Sequence, residues 1–166
     1  MSRGFVKEND QEEIPMVPPR ADLPDGMVNY VTQNGMDELL LEKETLLHEI
    51  ETVANTDENE RRITVNYINA KIQLLNQRIA TAKVVDLSKQ PHDEIRFGAL
   101  IGMQVGTDKK IQKYQIVGVD EANIAKGKIS YISPIARILI NKKVGDVAVL
   151  KLATEDREFK ILGIGY

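Results

Sequence analysis

The stretch Val65-Asn66-Tyr67-Ile68-Asn69-Ala70-Lys71-Ile72-Gln73-Leu74-Leu75-Asn76-Gln77-Arg78-Ile79-Ala80-Thr81-Ala82 decides the architecture. Val65, Ile68, Ile72, Leu75, Ile79 and Ala82 follow one another at spacings of 3, 4, 3, 4 and 3. That rhythm draws one narrow apolar edge along a helix, and a narrow edge is covered by a single partner helix. Upstream, Met36, Leu39, Ile50 and Val53 keep the same spacing with Lys43 and Leu46, while Leu40, Leu47 and Ala54 widen the stripe. Lys43 at a seam position either specifies register or runs its stem out to water, and its long alkyl chain favours the second. No glycine occurs between Met36 and Phe97, and the only proline there is Pro91. The two seams therefore predict an antiparallel helical hairpin. Its turn is the apolar-free run Asn55-Thr56-Asp57-Glu58-Asn59-Glu60. Thr32 is placed to cap the first helix, and Asp57 with Glu60 three residues on resembles a capping box for the second. Helices of about 22 residues would make a rod roughly 33 Å long.

Outside the hairpin the periodicity changes. Residues 1–30 hold Pro15, Pro18, Pro19 and Pro24 among Lys7, Glu8, Asp10, Glu12 and Glu13, and read as an extended Pro-rich acidic arm. Such an arm is either a loose tail or a strand laid along a neighbouring surface, with Phe5 and Val6 as anchors. The hairpin occupies 31–85 with its tip near 55–61, and 86–94 reads as a linker. Residues 95–166 then carry short β-branched or alternating runs at Arg96 to Val105, Ile111 to Val119, Lys128 to Ile132, Val147 to Leu152 and Arg157 to Ile164. Ser133-Pro134 opens one short helix, Ile135 to Asn141, with proline at its start. The fold class is α+β: an N-terminal antiparallel coiled-coil hairpin followed by a small antiparallel-sheet domain.

The 166 residues carry a net charge of −3, unevenly spread. Residues 1–94 hold 10 Lys and Arg against 18 Asp and Glu, whereas 95–166 hold 12 against 7. Two segments with different faces or partners are implied. The positive half rests on Lys109, Lys110, Lys113, Lys126, Lys128, Lys142 and Lys143, which either sit on solvated loops or dock on an acidic surface. There is no Cys, so disulfides, thiol nucleophiles and Cys-based zinc sites are excluded. His48 and His92 are isolated and suggest no metal site. No apolar run approaches the roughly 20 residues of a membrane helix, and a cytoplasmic protein is expected.

Ser133-Pro134-Ile135-Ala136-Arg137-Ile138-Leu139, followed by Lys143-Val144-Gly145-Asp146, resembles the carboxy-terminal domain of the bacterial GreA/GreB transcript cleavage factors. Tyr114-Gln115-Ile116-Val117-Gly118-Val119-Asp120-Glu121 is similar to the preceding strand of that family. Val84-Val85-Asp86 resembles its hairpin junction, and Thr32 to Leu39 its first helix. The resemblance covers about residues 30–166 and implies an FKBP-like C-terminal domain. It also implies that RNA polymerase is the partner, with the hairpin entering the secondary channel and stimulating cleavage of the transcript in backtracked complexes. On that basis the chain is not itself an enzyme. It has no cofactor of its own, and Mg2+ is shared with RNA polymerase through tip residues Glu58, Asp57 and Glu60. The resemblance places polymerase binding at Ser133, Pro134 and Arg137, with indirect nucleic-acid contact in the elongation complex. A monomer without membrane association is expected.

The tip departs from the family pattern Gly-Asp-x-Ser-Glu-Asn-Ala-(Glu or Asp)-Tyr. Set on its Glu-Asn, this chain reads Ala54-Asn55-Thr56-Asp57-Glu58-Asn59-Glu60-Arg61-Arg62, and the only pair kept is Glu58-Asn59. The first aspartate becomes Asn55, and Arg61 and Arg62 offset the negative field that attracts a cation. In GreB-like members an aspartate often precedes Ser-Pro, where this chain has Ile132. The hairpin is shorter than in the family, by about one heptad per arm, or roughly 10 Å of reach. Two alternatives to cleavage stay open: a Gre-like or Rnk-like secondary-channel regulator without cleavage activity, and an interaction module with another partner.

Overall fold

A computed structural model describes residues 15–54, 57–108 and 110–166. The proposed anchors Phe5 and Val6, the turn residues Asn55 and Thr56, and Lys109 lie outside the described residues. Two helices pack as the hairpin, α1 (Gln33–Thr52) and α2 (Glu58–Thr81), of 20 and 24 residues. Their shared core is Leu39, Leu46, Ile68, Ile72 and Leu75, closed at the base by Val31. Leu75 is fully buried, so the sequence-derived seam is the one that packs.

Thr32 caps α1, its hydroxyl accepting from the Gly35 amide at 2.9 Å. Gly35 itself sits in the first turn of α1, where a glycine costs helix stability. The reason is space: a Cβ there would meet Glu121 Oε1 at 2.8 Å. Asp57 caps α2, but its carboxylate accepts from the Asn59 amide at 3.0 Å. The cap thus engages the second helical residue, not Glu60 as a capping box requires.

The domain that follows is a five-stranded sheet in the order β5-β4-β3-β7-β6. Its strands are β3 (Leu100–Val105), β4 (Ile111–Val117), β5 (Lys128–Ser130), β6 (Val147–Lys151) and β7 (Asp156–Gly165). Neighbours are antiparallel except β4 and β5, which run parallel. This corrects the expectation of a wholly antiparallel sheet. A parallel edge arises because the connection from β4 carries the chain back across the sheet end, through the 3₁₀ turn Ile124–Lys126, before β5 begins. One helix, α3 (Pro134–Leu139), packs on β5 and β6. The core between helix and sheet includes Ile95, Ile101, Met103, Ile116, Leu139 and Ile161, each with 0% exposure.

The first expected strand begins later than its pattern suggested. Arg96 to Ala99 form a turn, with Gly98 at φ +88° and its amide bonded to the Ile116 carbonyl at 2.8 Å. The linker also holds structure, the 3₁₀ turn Leu87–Lys89 capped by Asp86.

A second sheet joins the parts. β1 (Tyr30–Val31) and β2 (Lys83–Val84) pair in parallel, so the chain entering α1 and the chain leaving α2 are tied together at the hairpin base. Residues 15–29, read from sequence as arm, run without helix or strand. They lie along the hairpin base and the domain, as their bonds to both show.

Candidate functional site

At the free end of the hairpin, Asp57, Glu58, Asn59, Arg61, Arg62, Ile50 and Val65 line an open recess. Glu58 is the first residue of α2, and Asp57, Glu58 and Glu60 are all exposed. The side-chain bonds here are local. Asp57 takes the Asn59 amide, and Arg62 donates to Asn59 Oδ1 at 3.2 Å; neither bond engages Glu58. Three carboxylates at a helix start match the positive end of its dipole. Arg61 and Arg62 follow at once and dilute the field.

Among the described residues, no three His, Cys, Asp or Glu side chains gather closely enough to hold a metal ion. Magnesium keeps most of its waters and needs only one or two protein carboxylates, a number the exposed tip carries.

Ser133, Pro134 and Arg137 occupy one short element, far in sequence from the tip. Ser133 Oγ accepts from the Ala136 amide at 3.3 Å and caps α3, so its hydroxyl has a structural duty. Pro134 and Arg137 are exposed and, three residues apart, share a face of α3. The structure brings this trio together and keeps it separate from the tip carboxylates. Of the lysines offered as a docking set, Lys128 is committed elsewhere: its ammonium donates to Glu121 Oε2 at 3.1 Å. Lys110, Lys113, Lys126 and Lys143 are exposed.

The junction between hairpin and domain holds residues that the sequence did not single out. Glu121, from the domain, is buried and accepts from the Thr32 hydroxyl at 2.5 Å, Asn34 Nδ2 at 2.9 Å and Lys128. Next to it Asp120, with a side chain only 7% exposed, accepts from Arg20 Nε at 3.0 Å. Tyr30, Phe97 and Tyr131 stack edge to face or tilted, with ring centroids 5.5 to 5.9 Å apart. Burial raises the Tyr131 pKa above its usual value. The Tyr131 hydroxyl donates to the Val28 carbonyl. One signal was available in the sequence: Arg20 is the only basic residue between Lys7 and Lys43.

Comparison with known proteins fixes the relationship. The model of the family described as "Transcription elongation factor, GreA/GreB, C-term" matches residues 90–166. The transcription elongation factor GreA of Pasteurella multocida is 37% identical over 114 residues, covering 68% of this chain and 72% of that protein. The chain belongs to the GreA/GreB family. Other GreA relatives of this family member include that of Methylococcus capsulatus, 34% identical over 113 residues, covering 68% of this chain and 72% of the relative. The GreA of Maricaulis maris is 37% identical over 100 residues, covering 60% of this chain but only 64% of the relative's length. Among solved structures, the GreA factor homolog 1 protein of Thermus thermophilus aligns over 84% of this chain and 100% of its own, with 22% identity and a TM-score of 0.40. The GreA/GreB factor of Nitrosomonas europaea aligns over 82% and 98%, with 17% identity and a TM-score of 0.42. No helix among the described residues is long and apolar enough to cross a membrane.

Proposed function

We propose that this GreA/GreB family member is an RNA polymerase-binding elongation factor. Its hairpin enters the secondary channel, and its tip stimulates transcript cleavage in backtracked complexes. The observation that carries the reading is Glu58: exposed at the free end of the hairpin, outside the local tip bonds, and between Asp57 and the Asn59 amide that Asp57 caps. A helix of 24 residues is about 36 Å long, enough to carry a carboxylate well away from the domain. Magnesium, held mainly by the polymerase, supplies Lewis-acid chemistry for phosphodiester hydrolysis. Glu58 adds a carboxylate that orients the attacking water and accepts its proton, while Pro134 and Arg137 present the docking face. The chain catalyses nothing alone.

A second reading, channel occupancy without cleavage, is favoured by two features of the same tip. Asp57 spends one oxygen on its cap, and Arg61 and Arg62 adjoin the carboxylates. A backtracked polymerase complex in magnesium separates the readings. The first expects faster transcript shortening with wild-type protein and loss of that stimulation, with binding kept, in Glu58→Ala. Unchanged shortening together with competition against a cleavage factor gives the second. Failure of polymerase to co-purify at low salt, where exposed lysines attract most strongly, removes both in favour of another partner.

A further inference from the structure

The segment before β1 makes contacts that a loose tail would not. Arg20 spends three donors on two other parts of the molecule. Its Nη1 and Nη2 fork onto Glu42 of α1 at 2.8 and 3.0 Å, and its Nε reaches Asp120 of the domain at 3.0 Å. The forked carboxylate pairing is the geometry for which a guanidinium is preorganised. The Glu42 hydrogen bond, first, and the charge of Asp120 raise the Arg20 pKa further.

The next residue continues the attachment to the other helix. The Ala21 carbonyl accepts from Arg78 of α2. Further on, buried Asn29 donates to the Arg78 carbonyl at 3.1 Å, and the Val28 carbonyl takes the Tyr131 hydroxyl. A Cβ on Gly118 of the domain would stand 2.5 Å from the Tyr30 carbonyl, so β1 seats directly on domain backbone. One segment thus touches α1, α2 and the domain within about ten residues.

We propose that residues 20–30 are an intramolecular strap that fixes the direction in which the hairpin leaves the domain, with Arg20 as its clasp. The physical case is leverage. Along a rod of about 36 Å, a swing of roughly 10° at the base displaces the tip by about 6 Å. Chemistry at a shared site is sensitive to about 1 Å. Thr32, Asn34 and Glu121 hold only the start of α1 to the domain. Arg20 adds a tie more than two helical turns further along, at Glu42, and a second point resists rotation that a single point permits. Arg78 Nη1 and Asp120 Oδ2, buried and facing each other at 3.8 Å, remain outside hydrogen-bond reach in this arrangement. The strap does not depend on the identity of the partner.

The chain has no cysteine, so Arg61→Cys and Lys151→Cys give two unique attachment points, one at the tip and one on the domain. Pulsed electron spin resonance on the doubly spin-labelled full chain reads the distance between them. In the wild-type background the distribution is expected to be narrow. With Arg20→Gln it should broaden by several ångströms or gain a second population, and Arg20→Lys should restore it only in part. An unchanged distribution in Arg20→Gln overturns the proposal, even if the melting temperature falls, because that result would make Arg20 a stabilising residue and no clasp. If Arg20→Gln does not fold, Asp120→Asn carries the same test: broadening supports the strap and an unchanged width overturns it. None of these outcomes bears on cleavage, so the strap and the polymerase reading fail separately.

Discussion

The two ends of the hairpin are built on opposite terms. At the base, carboxylates are buried and shared between elements: Glu121 serves Thr32, Asn34 and Lys128, and Asp120 serves Arg20. At the tip, carboxylates are exposed, and the side-chain bonds among the described residues stay within four residues along the chain. The same chemical groups do two kinds of work. A buried carboxylate without partners would be strongly destabilising, so each at the base has a partner on another element, although Asp120 Oδ2 itself accepts no hydrogen bond. An exposed one costs little and stays available to a partner.

The largest expected break is in the apolar seam. Leu75→Ala, at a fully buried position nearer the base, should cost about 3 kcal/mol in a denaturant melt. Val65→Ala, partly buried beside the tip, should cost about 1 kcal/mol. Equal costs would erase the distinction in packing. Glu121→Ala should cost about 2 kcal/mol, less than a fully buried pair because the Lys128 side chain keeps 23% exposure and can turn to water. In that background Thr32→Ala should lose less stability than in wild type, and a double-mutant cycle measures the difference.

Smaller effects sharpen the other end. Asp57→Ala removes a cap and should cost about 0.5 to 1 kcal/mol, read as fraying of the first turn of α2 by amide exchange. Glu58→Ala should leave stability within about 0.5 kcal/mol while abolishing stimulation of cleavage, so that stability and activity part company at one residue.

Alkaline pH should act on the base first. Burial raises the pKa of both Tyr131 and Tyr166. The neutral phenols therefore contribute stability that is complete below about pH 10 and is lost as pH rises through their folded values. Tyr131 donates to Val28, so alkaline titration should loosen the strap segment before the tip, as resolved by tyrosine absorbance and amide exchange. Loss of tip protection first would contradict the comparison.

Legibility followed locality. The seam, the Thr32 cap and the Ser-Pro start of α3 all depend on residues within one or two helical turns, and the structure has each of them. The reading of Asp57 with Glu60 as a box failed on a detail of the same scale, because the Asn59 amide is equally within reach of a short aspartate side chain. The parallel β4–β5 edge was hidden because alternation shows that a strand has a buried face but not which way its neighbour runs. The site was less legible than the fold. Glu58 stood out as a residue with no local duty, whereas Arg20, Asp120 and Glu121 have partners up to 100 residues away.

By itself, then, the sequence determined a two-helix rod joined to a small α+β domain, because apolar periodicity and capping are short-range and written in consecutive residues. It also marked Glu58 as a tip residue without a local duty, while the family resemblance picked out Ser133, Pro134 and Arg137 as candidates for the polymerase contact. Only the tertiary structure decided how rod and domain are held. That hold is made of Arg20 on Glu42 and Asp120, Glu121 on Thr32, and β1 seated on the backbone at Gly118. Such contacts join residues distant in the chain, and burial turns ordinary surface charges into ties only after the core has brought them together.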